Sequence, residues 1–295
     1  MTPLVFAVNS TIGRFRVGPP LGRGKPDGLF AISDPEGRSF ALRSPVADLD
    51  ESGSAITDRF LPDATALKSV MHLNLVPLFE TFVDKGYLCF VFERVNGRTL
   101  RAAIDEANLD PRAALIIARQ ILDAAACAHA AGRIHAALQP SRVLLVQMAG
   151  WELAKVADFG LSALRDEAVL EFGNDALTGS VRKAAAAYMS PEQVRQRSVD
   201  PRTDLYAIAT LIFEMLCGRP PYLDSDPQNV MQLQVSGRLP NLADVAPDAR
   251  WITQPITDLI NRGLAKEREE RFQSASQMIA AVDAAFVSIE HLALG

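Results

Sequence analysis

The sequence predicts an α+β protein of two lobes, with a β-rich first third and a helical remainder. Three observations carry this. Before Arg94, short apolar runs alternate with turn residues; from Thr99 onward, apolar residues recur at helical spacing; and 295 residues are enough for two packed units. Phe15–Val17 and Leu29–Ile32 flank a glycine-rich turn, and Phe40–Arg43 follows the turn Asp34-Pro35-Glu36-Gly37. One short helix precedes the apolar runs Leu75–Phe82 and Tyr87–Phe92. Arg112–Ala131 reads as a long helix stopped by Gly132. Asp204–Cys217, almost wholly apolar, reads as a buried helix stopped by Gly218 and Pro220. Short strands are expected at Arg142–Val146 and Leu153–Val156. The first lobe then covers 1–94, the second 95–288 and a tail 289–295, with the junction near Glu93–Gly97. There is no internal repeat and no low-complexity tract.

Composition excludes several classes. Nearly half the residues are apolar, and a net charge of −5 argues against a nucleic-acid binder, which carries a basic face. No uninterrupted apolar run reaches ~18 residues, so no membrane span is expected. The start, MTPLVFAVNS, lacks the basic segment and cleavage site of a secretory signal. Cys89, Cys127 and Cys217 are an odd set, far apart among apolar neighbours, and read as buried free thiols of a cytoplasmic protein. His72, His129 and His291 have no metal-ligand spacing and read as structural or surface residues.

The most specific signals are Asp158-Phe159-Gly160, Tyr188-Met189-Ser190-Pro191-Glu192, Asp204-Leu205-Tyr206, and a stretch from Leu264 to Met278 that contains Arg271. Each alone is weak; together, in this order and spacing, they are strong. Over residues 14 to 286 the chain resembles the Ser/Thr protein kinases, especially the bacterial ones that look like eukaryotic kinases. The resemblance implies a protein-kinase-like fold of two lobes. In such an enzyme a glycine-rich loop and a strand Lys held by a helix Glu grip the phosphates. Asp and Asn hold magnesium, and a catalytic-loop Asp accepts the hydroxyl proton.

Against that pattern the chain departs at four polar positions. In His135-Ala136-Ala137-Leu138-Gln139-Pro140-Ser141-Arg142, Ala137 stands for the proton-accepting Asp, Gln139 for the Lys, and Arg142 for the metal-binding Asn. Ala185, within Ala184–Ala187, stands for the Thr that would bond the catalytic Asp. A guanidinium has no lone pair for Mg²⁺. No catalytic and no metal-binding residue is therefore expected. The chain reads as a degenerate pseudokinase, not an enzyme, that binds and regulates a protein partner such as an active kinase or a phosphopeptide-binding module. The rival reading is a divergent ATP-binding Ser/Thr kinase, or another ATP-dependent transferase, with metal-independent chemistry.

The resemblance maps a nucleotide site onto Gly22, Gly24, Ala41, Arg43, Asp63, Phe92, Glu93, Val95, Leu144 and Asp158. Asp27 stands where the third loop glycine belongs, and Pro26-Asp27-Gly28 reads equally as a plain hairpin turn. Arg43 takes the Lys position. Asp63 takes the helix Glu position, or else complements a first helical turn after Pro62. Phe92 falls at the gatekeeper and Glu93–Val95 at the hinge. No cofactor is required on this reading, and any ATP binding is weak and indifferent to Mg²⁺. The family's hydrophobic column maps to Leu67, Leu78, His135 and Phe159, anchored by Asp204. Glu192 and Arg271 map to its buried ion pair, and a direct Arg142–Asp158 ion pair is expected in place of the metal. The acid-rich stretch Asp166–Asp175 reads as a solvated part of the activation segment. Thr178 and Ser180 are candidate phosphorylation sites, although Ala136 replaces the Arg that would receive the phosphate.

Overall fold

Alternation of side chains along the strand Tyr87–Glu93, β6, explains the packing of the N-terminal sheet. Tyr87–Glu93 reads YLCFVFE, with Leu88, Phe90 and Phe92 on one face and Cys89 and Val91 on the other, all buried. A strand covered on both faces loses polar alternation and becomes one apolar run. The computed structural model describes residues 6–21, 29–46, 61, 65–84, 87–106, 109–161 and 185–294. It divides into two units, Met1–Asn96 with Gly160–Ala176, and Gly97–Phe159 with Leu177–Gly295.

In the first unit β1 (Thr11–Ile12), β2 (Phe15–Pro20), β3 (Leu29–Ser33), β4 (Ser39–Val46), β5 (Leu78–Asp84) and β6 form one antiparallel sheet, in the order β1-β2-β3-β4-β6-β5. One face buries Ile12, Phe15, Val17, Phe30, Ile32, Leu42, Cys89 and Val91. The other packs Ala41, Leu88, Phe90 and Phe92 with Leu67 and Leu161, and Leu78 lies against this cluster. The sheet curls because its two edges meet. The Gly13 N–H donates to the Asp84 carboxylate at 2.7 Å, and the Phe15 and Phe82 rings stack at 6.0 Å. Gly13 has φ +52°, and a Cβ there would lie 2.9 Å from the Phe82 ring, so no larger residue fits. The expected strand at Leu75 begins only at Leu78. Pro77 has no N–H for the ladder, although its carbonyl accepts the Glu93 N–H at 3.0 Å.

The second unit contains β7 (Arg98–Thr99), α1 (Leu100–Glu106), α2 (Pro111–Ala130), β8 (Val143–Gln147), β9 (Glu152–Val156), α3 (Pro191–Val194), α4 (Pro201–Cys217), α5 (Pro227–Ser236), α6 (Leu242–Val245), α7 (Gln254–Gly263) and α8 (Ala275–Leu294). β8 starts one residue later than expected because Pro140–Arg142 forms a tight 3₁₀ turn. α2 begins where Asp110 accepts the Arg112 N–H, with Pro111 in the first turn. α2 is long and apolar enough to cross a membrane by length and composition. Here its Ala114, Leu115, Ala118, Ile121, Leu122 and Ala125 are buried as it packs on α4, α8 and β9. α4 is buried from Thr203 to Leu216 and stops at Gly218, whose φ of +72° is the left-handed cap. No disulfide joins the three cysteines. Burial pushes the Cys89 thiol up to about 12, whereas Cys127 and Cys217 are only partly buried, contrary to expectation, because each sits at the end of its helix rather than in a sheet core.

The Glu192–Arg271 pair fixes α3 to the turn before α8. Arg271 donates to Glu192 Oε1 at 2.9 Å and to Oε2 at 2.8 Å, and the side chains are 0% exposed for Arg271 and 4% for Glu192. Every remaining group is used. Thr203 donates to Glu192 at 2.7 Å, Arg271 also donates to the Ala265 and Lys266 carbonyls, and its guanidinium lies 4.8 Å from the Tyr206 ring centre. Burial alone would raise the Glu192 carboxyl, but hydrogen bonds and charge from Arg271 outweigh it and hold it below its ordinary 4.5. Arg271→Ala strands a buried carboxylate and is expected to cost ~3–5 kcal/mol, lowering the melting temperature by about 10 °C in a scanning measurement. Because the folded carboxyl is depressed, its contribution is present above the ordinary 4.5 and lost as pH falls through the lower folded value. The gap between the parent and Glu192→Gln should therefore narrow in acid; a gap constant with pH would show that the carboxylate charge contributes nothing.

Candidate functional site

Asp204 organises the loop that carries the site. Its carboxylate, 1% exposed in the first turn of α4, accepts the His135 and Ala136 N–H groups and meets His129 Nε2, each at 2.8 Å. These bonds hold Ala136 at φ +55°, a left-handed conformation that costs roughly 1–2 kcal/mol in a non-glycine residue. His135 is fully buried. Its Nδ1 accepts the Ala137 N–H at 3.3 Å, and its Nε2–H donates to the Ala157 carbonyl at 3.0 Å. Burial lowers its pKa, so the ring is a neutral packing group, edge-on to Phe159 at 5.0 Å. His129, read as an ordinary residue, is the third partner of Asp204 and lies 6.2 Å from Phe159.

The β8–β9 hairpin brings the remaining residues together. Val143 pairs with Val156, and the Ala157 N–H donates to the Arg142 carbonyl at 2.8 Å. At the same end Arg142 Nη1 donates to Asp158 Oδ2, with the side chains 11% and 9% exposed. The expected ion pair is thus present. Asp158 sits at φ +65°, a second left-handed residue in the site. A divalent cation does not fit these residues. A dication ~4 Å from the guanidinium would be repelled by about 8 kcal/mol at an effective dielectric near 20, twice the value for unit charges.

The other site residues lie where the two units put them separately. In the first, Ala41 faces Phe92 and Arg43 faces Phe90 across β4 and β6, while Glu93 pairs with Phe40 and ends β6. Val95 follows, half-buried. In the second, Leu144 lies in β8 opposite Lys155 and Thr99. Gly22, Gly24, Asp27 and Asp63, with Asp166–Asp175, Thr178 and Ser180, lie outside the described residues.

Sequence reasoning missed how the alanine-rich segment is held. Gln193 Nε2 donates to the Ala136 carbonyl at 2.5 Å, and Gln234 Nε2 donates to the carbonyls of Ala186 and Ala187 at 3.2 and 2.7 Å. Tyr206 donates its hydroxyl to Gln234 Oε1. Ser190 and Gln193 spell a capping box, which is readable in sequence, but the second reach of Gln193 is not. Glu214, 1% exposed, accepts from Tyr188 and Arg101 at 2.6 Å each. Burial first and the Glu214 charge second push the Tyr188 phenol well above its ordinary value, so it stays a donor. Asp204→Asn should turn one acceptor into a donor facing buried N–H groups, costing about 1–3 kcal/mol in urea unfolding. Parent-like stability would show that the three bonds are not needed.

A protein kinase domain model matches residues 15–282. The chain is 31% identical over 281 residues to a probable serine/threonine-protein kinase, SCO3848, of Streptomyces coelicolor. It is 30% identical over 275 residues to the serine/threonine-protein kinase pkn2 of Myxococcus xanthus, and both matches cover 92% of this chain. It spans 40% and 32% of those relatives' lengths. Among solved structures, the kinase domain of Mycobacterium tuberculosis PknI superposes with a TM-score of 0.70 at 21% identity, covering 95% of this chain and 100% of that one, and so supports the fold. The expectation of a non-enzyme is overturned by these relatives, which are named as serine/threonine-protein kinases. The physical reason is that removing a general base slows a reaction by ~10²–10⁴-fold without abolishing it. By its family match and by its fold, the chain belongs to the protein kinase domain family, among relatives named as bacterial Ser/Thr kinases.

Proposed function

We propose that the chain is a divergent, ATP-dependent Ser/Thr protein kinase whose chemistry does not use a divalent cation. The observation that carries this reading is the Asp158 carboxylate held beside Arg142 on an otherwise kept frame. The planar donors of the guanidinium suit phosphate oxygens, and because Asp158 balances its charge, Arg142 offers oriented hydrogen bonds there rather than net charge. Transfer runs through a loose transition state in which positioning and charge dominate over proton removal. The substrate hydroxyl oxygen forms a bond to the γ-phosphorus, the bond to the bridging oxygen breaks, and ADP leaves. With Ala137 in place of the proton acceptor, the hydroxyl proton passes to a transferred phosphoryl oxygen or to water.

On this reading Ala41 and Phe92, paired across β4 and β6 in the first unit, pack against the base, the backbone of Glu93–Val95 hydrogen-bonds it, and Arg43 approaches the phosphates. The kinase names of the relatives support it. The missing base makes the reaction slow, by ~10²–10⁴-fold against a complete site. The test is transfer from γ-labelled ATP to the protein itself and to a generic Ser/Thr peptide. Slow labelling that persists in EDTA and disappears with Asp158→Ala is expected. Labelling by the parent no greater than by Asp158→Ala sinks the reading.

A further inference from the structure

In the usual metal-dependent arrangement the order of the segment around Asp158 is tied to an ion that arrives with the nucleotide. Here a different device occupies that place. The turn Pro140–Arg142 delivers Arg142 directly into β8, and the Val143–Val156 pairing sets Arg142 opposite Ala157 and Asp158. Two contacts then close the same end of the hairpin, one between backbones from Ala157 to Arg142 and one between the Arg142 and Asp158 side chains. Phe159 is seated on His135, which is itself fixed by the Ala157 carbonyl and the Ala137 N–H. Asp158 keeps its left-handed backbone inside this frame.

We infer that Arg142 is a tethered cation that holds Asp158 and Phe159 in one arrangement before any nucleotide binds, and that keeps divalent metal from the site. A charge carried on the chain is present at a fixed local concentration, whereas an ion has to be recruited from solution. The charge also differs. One guanidinium against one carboxylate sums to zero, whereas a dication against one carboxylate leaves a net positive charge for phosphates. The ligand of such a site is a nucleoside polyphosphate without its metal, and order at Asp158 ceases to report on nucleotide. The order and metal exclusion concern the nucleotide-free protein and stand apart from whether transfer occurs.

The probe is Mn²⁺ alone, followed by its paramagnetic resonance signal, with amide exchange of residues 157–161 read in parallel. For the parent, the free-ion signal should be unchanged by added protein, and exchange should be the same with and without Mg²⁺ and ATP. Arg142→Asn should exchange faster by about tenfold or more and slow again as Mn²⁺ binds. Asp158→Asn breaks the same pair without restoring a carboxylate ligand, so it should exchange faster and bind no Mn²⁺. If Arg142→Asn fails to fold, Asp158→Asn still decides the matter, with its melting transition as the check on folding. Mn²⁺ binding by the parent, or parent-like exchange in the folded variants, overturns the inference.

Discussion

The carboxylate of Asp204 faces three donors at once, two backbone N–H groups from the loop and one histidine nitrogen, in the first turn of a helix that is buried along nearly its whole length. A buried acceptor with three short bonds has one position, and the loop that supplies the donors inherits it. From there the constraint spreads. Ala136 is driven into a left-handed conformation, His135 is turned onto Phe159, and the strand after Arg142 pairs in a register that brings its guanidinium to Asp158. None of these depends on the polar groups that the loop lacks, so the frame has survived their replacement.

Loss of the Thr and Asp positions at Ala185 and Ala137 removes one tether between the loop and the segment before α3. Two glutamines supply others. Gln193 reaches from α3 to the loop backbone, and Gln234 reaches from α5 to two successive carbonyls. An amide serves well here because it donates to carbonyls and accepts from the Tyr206 hydroxyl in one side chain. Together with Glu214 and its two donors, these make the second unit's interior unusually polar around α4, and the paired groups resist rearrangement more than an apolar core would.

Much of this was legible in the chain. The turn residues, the apolar run of β6 and the stops at Gly132 and Gly218 followed from local chemistry, and the spacing of Asp158, Glu192, Asp204 and Arg271 identified the frame. The Arg142–Asp158 and Glu192–Arg271 contacts were also readable, because opposite charges at positions the frame brings together have few other arrangements. What escaped was the second use of residues with an evident first role. Gln193 reads as a cap, Gln234 as a polar position in a helix, and His129 as the last turn of α2; each partner lies 47 to 75 residues away, beyond the reach of local patterns. The expectation of a non-enzyme failed differently. It counted missing groups and gave too little weight to how little covalent work phosphoryl transfer asks of a protein.

The separation between Glu192 and Arg271 has a consequence for synthesis. The two are 79 residues apart, and the acid lies in α3 while the guanidinium that grips it arrives just before α8. A chain leaving the ribosome exposes the acid first and, at roughly 5–20 residues per second, waits several seconds for its partner. Over that interval Glu192 lacks its bidentate partner, so closing the second unit's interior piecemeal from its N-terminal end would bury a carboxylate without that pair. Its completion is deferred until nearly the whole unit has emerged, and a product released before Arg271 carries a carboxylate without the bidentate partner it is buried against.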